Sequence, residues 1–371
     1  MKKKKILYGI AGIGLGHTYR QLPIIEYLAK KYLLVIFAYD KSYEFYSSHF
    51  KNRKSVYVER VAVPFYVGGL DGLNFKATLN HPYNKDKDFL KINLAVIDRT
   101  YHRIGKPDLV ITDYEPISAS YSYIFKTPLI TIDQQSKYLY GRFPMVLKDQ
   151  SFKDEVERLN LFFPKANKRI ACSFFRVYKK ENGQDVTVYS PIIRKDIIKL
   201  KRKPSKKQTI LFYISSQKDF VQSYKSIIDI LNSQDASFYI FMKDSSKLKK
   251  FSSEKISFYD YGDHDFYKIL RRCNGIISTA GHNLISEAMY LRIPVYAIPL
   301  SIYEQHMNAQ IIDKHGFGIS NQKIDKRKLA FFIKNIPKFA RNIKDDSKIL
   351  LRGSSQQKII QFLENIINKS S

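Results

Sequence analysis

Ile276-Ile277-Ser278-Thr279-Ala280-Gly281-His282-Asn283-Leu284-Ile285-Ser286-Glu287-Ala288 reads as a short strand, a tight turn and a helix. Two β-branched residues open it, small residues fill the turn, and an apolar helical face closes it. Arg292-Ile293-Pro294-Val295-Tyr296-Ala297-Ile298-Pro299 follows as a second strand ending in proline. Tyr303-Glu304-Gln305-His306-Met307-Asn308-Ala309 then opens another helix, which stops before Gly316-Phe317-Gly318. A turn of this kind presents free backbone N–H groups at a helix N-terminus, a place for phosphate. Glu287, one turn further on, is placed to accept both hydroxyls of a ribose, as an acid does in dinucleotide sites. Gln305 and Asn308 stand at i and i+3, and Glu304 and Asn308 at i and i+4, so their polar ends share a helix face and would converge on a sugar.

The same rhythm extends outward in both directions. Strands are expected at 209–214, 237–242, 256–260, 275–278 and 295–298, with helices between them. The N-terminal half repeats it, with strands at 6–10, 33–39, 55–61, 109–112 and 129–132, an amphipathic helix over 17–31 and another after Tyr114. Short apolar strands alternating with helices predict parallel sheets covered on both faces. The fold class is therefore α/β: two Rossmann-like domains, expected to face each other across a cleft. The span 64–100 breaks the rhythm and reads as a loop-and-helix excursion near a substrate mouth. Residues 194–208 carry Lys199, Lys201, Arg202, Lys203, Lys206 and Lys207 around Pro204 with almost no apolar pattern. They read as a basic linker with solvated charges. The expected domains are 1–195 and 208–371, joined by the linker 196–207, with the last helix free to pack back on the N-terminal domain.

The glycine turn Gly12-Ile13-Gly14-Leu15-Gly16-His17 follows the first strand and admits two readings. A dinucleotide fingerprint needs an acid at the end of the second strand, which Asp40 supplies, but His17 occupies the position of the third glycine. Alternatively, a histidine at a helix N-terminus is held neutral by the helix dipole and accepts a proton near pH 7, as a base for an acceptor hydroxyl. Capping of the helix is the structural counterpart of that role.

Composition bounds the rest. The chain has 371 residues, of which 44% are apolar and 26% charged, enough for two packed interiors and unlike a disordered chain. Its 63 Lys and Arg against 34 Asp and Glu leave a net charge of +29. Such a field attracts nucleic acid, anionic lipid headgroups or phosphorylated substrates, although compositional drift toward lysine produces the same excess. No nucleic-acid module is recognisable, so nucleic acid is not the expected partner. Cys172 and Cys273 form no CxxC pair, which excludes a disulfide framework and a Cys-type zinc site and fits a reducing cytosol. The lysines at 2–5 precede a short apolar run that breaks into glycines, so neither a secretory core nor a spanning stretch is expected. The expected location is the cytoplasm, with peripheral contact at the inner face of the membrane. Asp263-His264-Asp265 reads as helix capping rather than a metal cluster, and neither metal nor cofactor is expected.

The order G-x-N-x-x-S-E-A at 281–288, P-x-x-x-I-P at 294–299 and E-Q-x-x-N-A at 304–309 resembles the C-terminal half of nucleotide-sugar glycosyltransferases with the GT-B fold. It is similar to the family of the GlcNAc transferase that makes lipid II, and closer to archaeal and bacterial relatives of that family. The N-terminal G-x-G-x-G-H fits the same group. The resemblance implies a hexosyltransferase that takes a UDP-linked sugar on its C-terminal domain and an acceptor on its N-terminal domain, with inversion and without metal. It implies that Glu287 binds the ribose, that Gly281, His282 and Asn283 lie at the diphosphate, and that Glu304, Gln305 and Asn308 lie near the transferred sugar. His17 would be the general base or position the acceptor, with Gly14 and Gly16 in the loop bordering it. Asp113 would orient His17, Asp133 being a second candidate. Tyr213-Ile214-Ser215-Ser216-Gln217 departs from the glycine-rich turn usual there, leaving the hydroxyls of Ser215 and Ser216 to bond phosphate. The basic surface points to a lipid-linked or anionic acceptor and a cell-envelope glycan as product. A nucleotide-sugar epimerase or a non-catalytic nucleotide-sugar-binding protein would share the fold.

Overall fold

In the computed structural model, which describes residues 3–12, 14–69, 72–143, 153–214, 222–300 and 303–369, the apolar runs form strands buried on both faces. The chain begins with β1 (Lys5–Ile10), α1 (Gly16–Lys31), β2 (Leu33–Ala38), α2 (Asp40–His49) and β3 (Val56–Arg60). An excursion follows: the antiparallel pair β4 (Gly68–Gly69) and β5 (Gly72–Leu73), then α3 (Phe75–Leu79) and α4 (Phe89–Ile104). The alternation resumes with β6 (Leu109–Asp113), α5 (Pro116–Phe125), β7 (Leu129–Asp133), α6 (Lys137–Tyr140), α7 (Lys153–Phe162), β8 (Lys168–Cys172), β9 (Thr187–Tyr189) and α8 (Lys195–Ile198). The second series runs β10 (Thr209–Tyr213), α9 (Tyr224–Asn232), β11 (Ser237–Met242), a 3-10 turn (Ser245–Phe251), β12 (Ile256–Asp260), α10 (Asp265–Arg272) and β13 (Gly275–Ser278). It ends with α11 (His282–Leu291), β14 (Val295–Ala297), α12 (Tyr303–Lys314), β15 (Gly318–Ser320), α13 (Lys326–Asp345) and α14 (Gln356–Lys369).

These elements make two compact units. The first comprises Met1–Ser173, Val177–Arg194 and Ser354–Ser371 and holds a seven-stranded sheet in the order β3-β2-β1-β6-β7-β8-β9, parallel throughout. Side chains alternate across it, Ile6, Tyr8 and Ile36 joining one core face while Leu7, Val35 and Phe37 join the other. Ile359, Leu363 and Ile367 of α14 complete the first of these faces. The second unit, Phe174–Arg176 with Lys195–Gly353, holds a six-stranded parallel sheet in the order β12-β11-β10-β13-β14-β15. Among the described residues, no helix is long and apolar enough to cross a membrane.

In each sheet the chain leaves a central strand first to one side and then to the other. The reversal falls between β1 and β6 in the first unit and between β10 and β13 in the second. Crevices at the carboxyl ends of the strands open at such switch points, where open α/β sheets bind their ligands.

In the basic segment 196–207, Lys199, Lys201, Lys203, Lys206 and Lys207 are exposed, as solvated linker charges would be, and Arg202 is the exception. Arg202 donates from Nη1 to the carbonyls of Leu270 at 2.7 Å and Cys273 at 2.8 Å, satisfying the C-terminal end of α10. The N–H groups of Lys203 and Ser205 donate to the carbonyls of Arg271 and Arg272. The segment is thereby part of the second unit.

Candidate active site

In the first unit the turn after β1 and the end of β6 meet at the switch point, with Ile10 paired to Asp113. Gly12 has to be glycine, because a Cβ there would lie 2.2 Å from the Tyr39 carbonyl oxygen. Gly14 sits at φ +70 and turns the chain into α1, whose first residue is Gly16. The N-cap of α1 is Leu15, without a side-chain cap bond, so His17 lies inside the first turn rather than capping it.

His17 Nδ1 lies 3.0 Å from Asp113 Oδ1. Asp113 is fully buried, and α1 surrounds it with donors. Arg20 Nη2 donates to both carboxylate oxygens at 2.7 and 2.8 Å, and Gln21 Nε2 donates to Oδ2 at 2.9 Å. Gln21 also donates to the Ile132 carbonyl and accepts from Tyr8 OH. Burial pushes the Asp113 carboxyl up, but Arg20 and His17 outweigh it and hold the group below the usual carboxylate range. Tyr114, at φ +60, stacks on His17 with ring centroids 6.2 Å apart and donates its hydroxyl to Glu155. Asp133 is buried as well, but its carboxylate accepts from the Ser136 N–H and hydroxyl. Of the two carboxylates, Asp113 is the one that meets His17. Asp40 begins α2 at φ 45 and accepts from Tyr83 OH at 3.4 Å.

Arg20 and Gln21 join His17 at Asp113, and the sequence reading missed them. Their signal was present in the helical spacing, since positions 20 and 21 follow His17 by three and four residues and so share its face.

In the second unit the corresponding turn runs from Thr279 to Gly281. Ser215 and Ser216, in the turn after β10, lie outside the described residues. Ala280 adopts φ +60, a left-handed conformation unusual for a residue with a side chain. Gly281 is the N-cap of α11 at φ −65, and a Cβ there would meet nothing within 4 Å. Neither its dihedral nor its packing demands glycine.

Two residues of α12 brace this turn. Glu304 Oε1 accepts the His282 N–H at 3.1 Å, and Asn308 Nδ2 donates to the Ala280 carbonyl at 2.9 Å. Asn308 is fully buried, and Gln305 Oε1 accepts the Leu300 N–H at 2.7 Å. The buried His282 receives Ser286 Oγ on its carbonyl at 2.7 Å and packs near Phe174. Asn283 is half-buried in the first turn of α11, and Glu287 is buried on the second. The sequence-selected residues of this half therefore gather on α11, α12 and the turn between β13 and α11. Asp263 Oδ1 accepts the Asp265 N–H at 2.9 Å just ahead of α10, whose N-cap, His264, makes no side-chain cap bond.

Comparison with known proteins places this architecture. The family model described as Glycosyl transferase family 1 matches residues 4–337. Over 116 residues the chain is 28% identical to the UDP-N-acetylglucosamine--N-acetylmuramyl-(pentapeptide) pyrophosphoryl-undecaprenol N-acetylglucosamine transferase of Oceanobacillus iheyensis. That match covers 29% of this chain and 32% of the relative, about a third of its length. Among solved structures, a UDP-glucosyltransferase from Polygonum tinctorium capable of glucosylating indoxyl superposes with a TM-score of 0.68 at 10% identity, covering 99% of this chain and all of that one. LpCGTa in complex with UDP superposes with a TM-score of 0.67 at 12% identity, covering 99% of each chain. The two parallel sheets are those of a GT-B fold, and the chain belongs to glycosyl transferase family 1 and is a glycosyltransferase.

Proposed function

We propose that this glycosyltransferase moves a hexosyl group from a UDP-sugar to an acceptor hydroxyl with inversion at the anomeric carbon, and that His17 is the general base. The observation that carries this reading is the His17–Asp113 contact at the switch point of the first sheet. With Nδ1–H donating to Asp113, Nε2 is left as the basic nitrogen. Nε2 takes the proton of the acceptor hydroxyl as its oxygen attacks the anomeric carbon. The bond from that carbon to the diphosphate breaks, and UDP leaves. Asp113 stabilises the imidazolium that forms, a role suited to a buried carboxylate held ionised by Arg20.

The second unit holds the donor in this reading. The N-terminus of α11 at Gly281, His282 and Asn283 receives the diphosphate, which displaces Glu304 Oε1 from the His282 N–H and is aided by the hydroxyls of Ser215 and Ser216. Glu287 binds the ribose, and Glu304 and Gln305 meet the sugar. Asn308 acts through the Ala280 carbonyl that it holds. The open space at Gly281 supports close approach of a ligand to the backbone.

The acceptor is lipid-linked in this reading, and the enzyme works at the inner face of an anionic membrane. Its support is the excursion of the first unit. Phe75 and Leu79 of α3 are 57% and 77% exposed, and Leu90 and Leu94, one turn apart on α4, are 70% and 51% exposed. The exposed Lys76, Lys85, Lys87 and Lys91 lie among them. Large apolar side chains with lysines suit a bilayer bearing anionic headgroups.

A donor screen with products identified by mass spectrometry tests the chemistry. Transfer or hydrolysis of a UDP-sugar is expected, abolished by Glu287→Ala. Epimerised donor without acceptor would instead mark an epimerase, and binding without turnover a non-catalytic protein. Vesicle flotation tests the membrane reading: equal partitioning onto neutral and anionic vesicles would remove it.

A further inference from the structure

The imidazole of His17 faces two partners with opposite demands. Nδ1 lies 3.0 Å from Asp113 Oδ1, an acceptor, and 2.9 Å from Arg20 Nη2, a donor. A guanidinium offers only N–H groups and stays charged at any working pH. If Nδ1 carries the proton, it donates to Asp113 and leaves Nε2 bare. If Nδ1 is bare, it accepts from Arg20, and the proton sits on Nε2, where it blocks a base. If both nitrogens are protonated, a second cation stands beside the first, with the single charge of Asp113 already bonded twice by Arg20.

The remaining groups around this centre do not change that balance. Asp133 on β7 attracts Arg20, but its carboxyl oxygens accept from Ser136 rather than from His17. Tyr8 on β1, Tyr46 on α2 and Cys172 on β8 are each kept neutral by burial. Tyr114 presents its ring to His17, and its hydroxyl is turned to Glu155. Arg20 itself is buried, with Nε unpartnered among the described residues, and its contacts with Asp113 and His17 run through Nη2.

We propose that Arg20 is a positioning residue that competes with His17 for Asp113, so that the imidazole is oriented by the carboxylate without being captured by it as a permanent ion pair. This rests on the general-base reading of His17. Without Arg20, the buried carboxylate would keep only the neutral amide of Gln21 and have the imidazole as its one cationic partner, holding it as imidazolium with no lone pair for the acceptor.

The test compares Arg20→Gln and Arg20→Lys with the parent enzyme in the full chain. For Arg20→Gln, the acidic limb of the pH–rate profile is expected to move up by about one unit or more. Its kcat near neutrality should fall about tenfold and recover in alkali, with donor KM nearly unchanged. Arg20→Lys should restore most of the parent profile. The 15N spectrum of the His17 ring, assigned with His17→Asn, should show imidazolium in Arg20→Gln at a pH where the parent ring is neutral. Loss of activity at every pH with unchanged 15N shifts would make Arg20 merely structural and overturn the proposal. Should Arg20→Gln fail to fold, the spectrum of Arg20→Lys decides: a ring unchanged in tautomer and charge is expected, and a ring turned to the Nε2–H form sinks the idea. If His17→Ala leaves kcat intact, the base reading fails, whereas the ring spectrum still reports what Arg20 does.

Discussion

The two switch points are built on one plan and equipped in opposite ways. After β1 the turn delivers a side chain: Gly12 lets the chain pack against Tyr39, Gly14 turns it at a positive φ, and α1 then aims His17, Arg20 and Gln21 at a buried carboxylate. After β13 the turn delivers backbone. Ala280 accepts a left-handed conformation, Gly281 leaves open space, and α12 pins both sides of the turn through Glu304 and Asn308. The difference teaches where each kind of chemistry comes from. Proton transfer needs an ionisable group whose surroundings set its charge. Anion binding needs N–H groups at a helix end and space in front of them.

The largest effect should come from His17→Ala, with kcat lowered by roughly 10² to 10⁴ and nucleotide affinity unchanged. A kcat within twofold of the parent would dissolve the contrast between the two turns. Asp113→Asn should come next, destabilising the chain by about 3–5 kcal/mol, because it strands the buried guanidinium of Arg20. It should also flatten the acid limb of stability. A carboxyl held below its unfolded pKa contributes above that value and loses its contribution as pH falls through the native one. Chemical unfolding across pH reads both effects.

Gly281→Ala should weaken UDP binding about tenfold in calorimetry while stability stays within about 0.5 kcal/mol, since its Cβ meets no protein atom. A drop in stability with intact binding would show that this glycine serves packing, like Gly12. Ala280→Gly should stabilise by about 1 kcal/mol by relieving the left-handed strain. Smallest of all, Cys172 and Cys273, whose thiols burial pushes up to about 12 and about 11, should resist thiol reagents until the chain unfolds.

The alternation of strands and helices was legible because parallel strands covered on both faces are built from apolar runs, as at 34–38 and 109–111. His17 and Asp113 were legible separately, one from its glycine turn and one from its strand end. Arg20 and Gln21 were not, because a polar residue on an amphipathic helix reads as solvent-facing. Here the polar pair lies on the buried stripe with Ile24, Ile25 and Leu28. Asn308 and Gln305 were picked out by pattern, but not the use of their amides: Asn308 bonds the distant carbonyl of Ala280, and Gln305 the N–H of Leu300 just ahead of its own helix. Arg202 was hidden in the same way, since a lysine-rich run gives no hint that one of its members ends a helix.

The position of α14 bears on how the molecule is made. Its Ile359, Leu363 and Ile367 sit against Ile24 and Leu28 in one core, and Glu364 accepts from Tyr27 OH at 2.7 Å. A ribosome releases β1 first and α14 long afterwards, with nearly all of the second unit in between. The unit that is translated first is therefore the one that finishes last. Until then its α1 carries an uncovered oily stripe, a natural handle for chaperones on the nascent chain and the weak point of any truncation that stops short of Ser354.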